Sequence, residues 1–305
     1  AFLQKQRPTP YDEAISLIWY LENVFYLAAG RITAFLKNQF AYALPQNKSI
    51  INMGFWPGGD RDGNPFVTAD ITLKVAGALR GSIIKCYYLE IRRIKRRLTF
   101  KGVDTILNGL EKQLYDNIFI PGYQTDITKQ YILGELEKIK EIIVYQHNGL
   151  FLHLITNLIN KVNVFGLHFA SLDVRQESTV HNVVLEVVHG ENYSKLNEEE
   201  KIAFLVNAPE VTAANTYDNA LVQDTINNLK GIQQIQKVNG EAGCNRYIIS
   251  QSNSALNVLE VYGLFLSCGW KKENLSVDIV PLFETIDDLQ HAADIMKTLY
   301  SNEAY

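Results

Sequence analysis

Apolar residues recur at helical spacing through most of this chain. In residues 11–40, Ile15, Ile18 and Leu21 stand three positions apart, and Pro10 precedes the pattern as it commonly does at a helix N-terminus. We therefore expect one long helix over this range. The same spacing predicts further helices over residues 68–98, 103–115 and 127–162, with a polar link around Pro121 and Gly122.

Three shorter segments have the character of β-strands. From Phe165 to Val174 apolar residues alternate with smaller or polar ones, and residues 247–249 and 277–283 are compact apolar runs. A polar residue and then a helical pattern follow each segment. The order strand, polar residue, helix therefore occurs at Arg175, Ser250 and Glu284.

This alternation of strands and helices predicts a parallel sheet. In parallel α/β proteins, and in (β/α)8 barrels above all, catalytic groups lie at the C-terminal ends of the strands, because every strand end opens onto the same face. We therefore expect Arg175 and Glu284 to share one site although they are far apart in the chain.

Composition narrows the classes of function. The 305 residues carry 29 Lys and Arg against 33 Asp and Glu, and this net charge of −4 argues against a general nucleic-acid binder. The basic run at residues 92–97 is accordingly interpreted as a solvated helix face rather than an RNA-binding patch. No apolar stretch is long enough to span a membrane. Cys86, Cys244 and Cys268 form no CxxC pair, which is typical of reduced thiols in a cytosolic protein.

The segment Gly58–Asn64 has too many glycines and acids for a regular element. It lacks the glycine and glutamate positions of an EF-hand, the ending of a phosphate-binding P-loop and the glycine spacing of a dinucleotide loop. An ordinary turn, held by Asp side chains on backbone amides, is as probable on composition as a functional loop.

Arg175 and Glu284 each have a structural and a functional interpretation. Arg175 stands between Asp173 and Glu177, so it belongs either to an ion-pair network or to a binding site for a phosphate or carboxylate, which a guanidinium recognises well. Glu284 is either a charge at a helix start or a ligand for a hard cation such as Mg²⁺. Spacing alone favours the structural interpretation of Glu284.

Three motifs taken together resemble one family. They are Gly-Gly-Asp-Arg-Asp-Gly-Asn-Pro at 58–65 after Trp56, Leu-Asp-Val-Arg-Gln-Glu-Ser-Thr at 172–179, and Pro-Leu-Phe-Glu-Thr-Ile-Asp-Asp-Leu at 281–289. In this order they resemble phosphoenolpyruvate carboxylase. The opening at residues 7–13 and the segment 247–250 are also similar to that family, so the resemblance covers essentially the whole chain.

The resemblance implies a mostly α protein with βα units, which form a partial (β/α)8 barrel surrounded by long helices. It implies the conversion of phosphoenolpyruvate and bicarbonate to oxaloacetate and phosphate with Mg²⁺ or Mn²⁺, an anaplerotic carbon dioxide fixation that feeds the tricarboxylic acid cycle. It further implies a cytoplasmic homotetramer, with no nucleic acid or membrane as partner.

The family's site residues transfer onto matching positions of this chain. Arg175 and Arg61 are the implied catalytic residues, and Glu284 is the implied metal ligand. The residues implied to bind substrate or border the site are Trp56, Gly58, Gly59, Asp60, Asp62, Gly63, Asn64 and Gln176.

Several catalytic segments of the family have no counterpart here, among them Thr-Ala-His-Pro-Thr-Glu, Ser-Asp-Ser-x-Lys and His-Gly-Arg-Gly-Gly. We therefore expect a central fragment of the enzyme that is inactive alone. Within it we distinguish an N-terminal helical segment (1–48), the loop 57–65 with long helices (49–164) and the βα units of an incomplete barrel (165–305). The alternative is a non-catalytic helical binding module, or a pseudoenzyme, that retains the family fold.

Overall fold

The computed structural model describes residues 8–40, 49–120, 127–211, 216–303 and 305. The predicted link at Pro121 and Gly122, and part of the N-terminal segment 1–48, lie outside the described residues. Most of the described chain is helical, and its short strands pair in parallel.

The first predicted helix is present, with one local change. Helix α1 (Pro10–Tyr20) continues through a π-helical stretch (Leu21–Phe25) into α2 (Tyr26–Gln39). Its N-terminus is fixed by a capping box, in which the Thr9 hydroxyl accepts the Asp12 amide at 3.2 Å and the Asp12 carboxylate accepts the Thr9 amide at 3.0 Å. Helices α3 (Ala69–Lys95) and α4 (Val103–Phe119) also agree with the predicted pattern.

The single helix predicted over 127–162 is wrong, because the structure has two. Helix α5 (Lys129–Gln146) ends at a turn in which Asn148, Gly149 and Phe151 have positive φ, and α6 (Leu152–Phe165) follows. This turn lets α6 fold back and pack against α5, which buries the apolar stripes of both helices. The apolar spacing continued across the turn, so the sequence pattern did not reveal it.

The strand predicted to start at Phe165 is also wrong in its first half. Helix α6 runs through Phe165, and a turn with positive φ at Gly166 and Phe169 leads into β2 (Ser171–Leu172). The rings of Phe165 and Phe169 pack edge to face, 5.2 Å apart, in the core. Their apparent alternation therefore reflects burial of both rings across a tight turn rather than an extended backbone.

All of the described strands are paired in parallel. Strand β1 (Gly54–Phe55) pairs with β2, and β3 (Val174–Glu177), β4 (Arg246–Ser250) and β5 (Asp278–Pro281) pair in that order. Asp173 separates β2 from β3 along the chain. Within the sheet of β3, β4 and β5, the parallel pairing places the C-terminal ends of the strands along one edge, as the sequence predicted, and the isolated bridge between Asp60 and Arg175 brings the chain that follows β1 to this sheet.

The remaining helices follow or flank these strands. Helices α7 (Ser178–His189), α11 (Ala255–Ser267) and α12 (Ile286–Tyr300) begin after β3, β4 and β5, and α10 (Ala220–Asn239) packs on α3. Two short helices, α8 (Glu191–Ser194) and α9 (Glu198–Leu205), join α7 to the later part of the chain. None of the described helices combines the length and apolarity that crossing a membrane requires.

Candidate functional site

The glycine-rich loop after β1 lies directly against β3. The Arg175 amide donates to the Gly59 carbonyl at 3.0 Å, and the Arg61 amide donates to the Arg175 carbonyl at 2.9 Å, so Asp60 pairs with Arg175 like one more residue of parallel strand. A Cβ atom at Gly59 would lie 2.1 Å from the Asp173 carbonyl oxygen. Only glycine allows this approach, and the loop is thereby held at the C-terminal edge of the sheet.

Arg61 extends from this loop into the protein, where its side chain is only 4% exposed. Its Nη2 atom lies 2.6 Å from a carboxylate oxygen of Asp224, and its Nε atom donates to the Gln176 side chain at 3.3 Å. The other Asp224 oxygen accepts the amide of Ala69 at the start of α3 at 3.0 Å. Asp224 therefore ties the loop and the N-terminus of α3 to α10.

Arg175 contacts the same loop through Asp62. Its Nη2 atom lies 2.8 Å from Asp62 and 2.8 Å from Glu284, so one nitrogen atom is shared by two carboxylates. Among the described residues its buried Nε atom finds no hydrogen-bond partner. The two residues that the strand order predicted to meet are thus in direct contact.

Glu284 follows β5 and precedes α12, so it lies where the chain leaves the sheet. Its side chain is 37% exposed, and its second carboxylate oxygen accepts a hydrogen bond from the backbone amide of Gln251 at 3.4 Å. Gln251 has positive φ at the end of β4 and is flanked by Ser250 and Ser252, whose buried hydroxyls have no partner among the described residues. The edge of the sheet therefore combines charged groups with polar atoms that a ligand or water could satisfy.

The helix that follows β3 carries a buried histidine. His181 is fully buried on α7, and its Nε2 atom lies 3.0 Å from the Tyr247 hydroxyl. Burial, with a smaller contribution from the positive charge of Arg61, lowers the pKa of His181 to about 3. The imidazole is therefore neutral at physiological pH and adds no charge to the cluster.

The other predicted loop residues border the cluster. Gly58 and Gly63 have positive φ, the Asp60 carboxylate accepts the Asp62 amide at 3.3 Å, and the Asn64 side chain accepts the Phe66 amide at 3.1 Å. These Asp and Asn contacts are the turn contacts of the structural interpretation, so the loop has that role whatever else it does. Trp56 precedes the loop and is 68% exposed.

No sequence pattern predicts a role for Asp224. It lies on α10, in a stretch without a recognisable motif, and it comes within 2.6 Å of a guanidinium 163 positions earlier in the chain. The sequence shows only an acidic residue near the start of α10. Acidic residues are common at helix starts, so this position alone does not single out Asp224.

Parallel strands followed by helices, in a mostly helical chain, define a protein built from βα units, with acids and arginines gathered at the C-terminal ends of its strands. A sequence profile of phosphoenolpyruvate carboxylase matches residues 1–118 and 104–305. The chain therefore belongs to the phosphoenolpyruvate carboxylase family.

Curated relatives agree with this assignment. The phosphoenolpyruvate carboxylase from Gloeobacter violaceus is 28% identical to this chain over 370 aligned positions, and the one from Nitrosomonas eutropha is 28% identical over 363. Each alignment covers 99% of this chain and 39% of the relative. The enzyme from Synechocystis is 28% identical over 371 positions and is covered to 36%. The chain thus spans less than two fifths of the length of these relatives. Because the alignments exceed its 305 residues, the relatives also carry additional residues within the matched region.

Proposed function

We propose that this chain forms part of a phosphoenolpyruvate carboxylase, which converts phosphoenolpyruvate and bicarbonate to oxaloacetate and phosphate. The observation that carries the proposal is the contact of Arg175 with Asp62 and Glu284 at the C-terminal edge of a parallel sheet in a chain of this family. The edge collects residues from three separate parts of the sequence into one polar cluster.

Arg175 is the residue we assign to the phosphoryl group of the substrate. Its Nη2 atom is held by two carboxylates, and its Nε atom has no partner among the described residues. A guanidinium offers several donors in one plane, which suits a phosphoryl group better than a lysine ammonium does. Arg175 would offset the charge that develops on the phosphoryl oxygens during transfer.

Arg61 has a different role in this proposal. Its side chain is buried and is bonded to Asp224 and Gln176. We assign it to positioning rather than to direct contact with substrate, because these bonds fix the loop that carries Asp62. Trp56 and the glycine-rich loop then border the substrate on the exposed side.

The metal ion implied by the family fits one residue of the cluster. Mg²⁺ commonly takes one or two protein carboxylates together with substrate oxygens, and the partly exposed Glu284 can supply one of them. The described residues contain no group of three or more metal-ligating side chains. A bound Mg²⁺ or Mn²⁺ would supply positive charge beside the reacting oxygens.

We extend the proposal to the longer carboxylase of which this chain would form part, here called the parent protein. Strands β1 to β5, all parallel among the described residues, support a partial (β/α)8 barrel. Three buried free cysteines favour a reducing, cytoplasmic setting. We propose a homotetrameric parent enzyme and an inactive isolated chain, since one metal carboxylate and one phosphoryl-binding arginine do not make a complete site.

Binding of phosphoenolpyruvate in the presence of Mn²⁺, measured by calorimetry, tests the site. We expect saturable binding that weakens at least tenfold in Arg175→Gln. The matched control is Arg246→Gln. Arg246 is the first residue of β4 and pairs with Asp173. Its replacement should change the affinity for phosphoenolpyruvate less than twofold. Absence of saturable binding would favour the non-catalytic module instead.

Two further measurements separate metal binding from turnover. Electron paramagnetic resonance of Mn²⁺ should show weaker binding in Glu284→Gln but unchanged binding in Asp287→Gln, since Asp287 is exposed on the first turn of α12. A coupled oxaloacetate assay of the purified chain should show no turnover. Measurable turnover would refute the proposed inactivity.

A further inference from the structure

The N-terminus of α5 carries a lysine where an acid would be favoured. Lys129 is the first residue of this helix, after the cap residue Thr128, and the first turn contains no Asp or Glu. The N-terminal end of a helix has a partial charge of about +0.5, which stabilises anions and destabilises cations in the first turn. The helix therefore disfavours the protonated form of Lys129.

The amine of Lys129 has a neutral partner. Its Nζ atom donates to the backbone carbonyl of Asn163, near the end of α6, at 3.0 Å. Lys129 takes part in no ion pair among the described residues. Burial lowers the pKa of Lys129, so its neutral, nucleophilic amine forms at a lower pH than that of an exposed lysine.

A cavity of about 300 Å³ between α5 and α6 is lined by both Lys129 and Asn163. Asn163 is 5% exposed, and its buried Nδ2 atom has no hydrogen-bond partner among the described residues. Buried donors without a partner are uncommon, so this atom points to an acceptor that the chain itself does not supply. The acid on the wall of the cavity, Glu137, is paired with Lys140 at 2.8 Å.

Lys129 also lines a second cavity, of about 800 Å³, together with Arg80, Lys237, Glu241 and His168. Among the described residues, neither Arg80 nor Lys237 takes part in an ion pair. Burial, with a smaller contribution from the charge of Lys129, lowers the pKa of His168 to about 4, so its imidazole is neutral at physiological pH. The cations on this side outnumber the acid, which favours an anion rather than a further cation at Lys129.

We propose that Lys129 is a site of reversible carbamylation by carbon dioxide. The lone pair of Nζ attacks the carbon atom of CO2, an N–C bond forms as one C–O π bond opens, and the nitrogen releases one proton to water. The lysine thereby becomes a negatively charged carbamate. Its oxygens accept a hydrogen bond from Asn163 Nδ2, and the helix N-terminus stabilises its charge. The surroundings that disfavour the ammonium thus favour the carbamate.

Nuclear magnetic resonance with ¹³C-labelled bicarbonate, at constant pH, detects a carbamate as a resonance distinct from bicarbonate and carbonate. Alkylation with a trialkyloxonium salt, followed by peptide mass spectrometry, locates it. We expect one saturable adduct at Lys129, which forms at a lower pH than adducts of exposed lysines. Lys129→Arg retains the positive charge and should abolish the resonance.

The matched control is Lys138→Arg on the same helix. Lys138 is exposed, and its hydrogen bond to Glu135 raises its pKa, so its replacement should leave the resonance unchanged. Asn163→Asp introduces a carboxylate close to the amine of Lys129 and removes the free donor. The occupancy of the carbamate should therefore fall at least fivefold at the same concentration of CO2.

Three results would overturn the proposal. One is the absence of a carbamate resonance in the wild-type protein. Another is equal occupancy at Lys138 and Lys129, which would show the ordinary reactivity of surface lysines. The third is an unchanged occupancy in an Asn163→Asp protein whose circular dichroism matches the wild type. The first two measurements use the wild-type chain and involve no phosphoenolpyruvate, so they depend neither on the folding of a variant nor on the proposed function.

Discussion

The candidate site and a cavity at the end of α3 both contain arginines, but their partners differ. Arg61 and Arg175 each lie within hydrogen-bond distance of carboxylates, whereas Arg31, Arg93, Arg96 and Arg97 have none among the ion pairs of the described residues. Paired guanidiniums are fixed in place and nearly neutral as a group, whereas unpaired ones create a field that attracts anions. The first arrangement favours precise positioning, and the second leaves positive charge concentrated at the surface.

The largest loss of stability is expected at Gly59, where the loop that carries Arg61 lies against Asp173. Gly59→Ala places a Cβ atom 2.1 Å from the Asp173 carbonyl oxygen, so the backbone must move and the contacts of Arg61 and Arg175 are disturbed. We expect a loss of about 3 kcal/mol in the free energy of unfolding, measured by chemical denaturation.

Gly77→Ala is the control for that substitution. Gly77 lies within α3 and has open space where its Cβ would be, so alanine should stabilise the helix by about 0.5–1 kcal/mol. A Gly59→Ala protein as stable as the wild type would contradict the close approach of the loop to the sheet.

Loss of a paired arginine should cost stability. Arg61→Gln leaves Asp224 without its cation, and because Asp224 is 28% exposed we expect a loss of about 2 kcal/mol, below the range for a fully buried pair. A double-mutant cycle with Asp224→Asn measures the interaction of the pair directly. Additive losses in the double variant would show that the two side chains do not interact.

Acid should weaken the packing around the buried His181. The pKa of His181 falls from 6.5 to about 3 in the folded protein, so below pH 6.5 the unfolded chain takes up a proton that the folded protein does not. This contribution to stability is complete above pH 6.5 and is lost as the pH falls, by about 1.4 kcal/mol per pH unit. His181→Gln should reduce the slope of unfolding free energy between pH 7 and pH 5. An identical slope in the wild-type and His181→Gln proteins would contradict a neutral, buried His181.

The smallest effect is expected for an unpaired arginine. Arg93 is exposed and has no acid partner among the described ion pairs, so Arg93→Gln should change the free energy of unfolding by less than about 0.5 kcal/mol. A loss as large as that of Arg61→Gln would remove the distinction between the two groups of arginines.

The apolar spacing predicted helices such as α3 and α4 well, because each of them buries a single apolar stripe along its whole length. They were wrong at residues 147–151 and 165–170, where the apolar spacing runs on through a turn. Sequence spacing records that a residue is buried but does not record the direction of the chain. Positive φ at Phe151 and Phe169, residues with no intrinsic preference for it, is imposed by the surrounding packing.

The sequence by itself determined the alternation of strands and helices, and with it the expectation that Arg175 and Glu284 lie at one edge. It also contained the motifs that place the chain in its family. Only the tertiary structure decided which charges are paired, because Asp224 reaches Arg61 across 163 positions, while Arg93 takes part in no ion pair among the described residues. Pairing depends on distances of a few ångströms between side chains on separate elements, and no local pattern in the sequence specifies those distances.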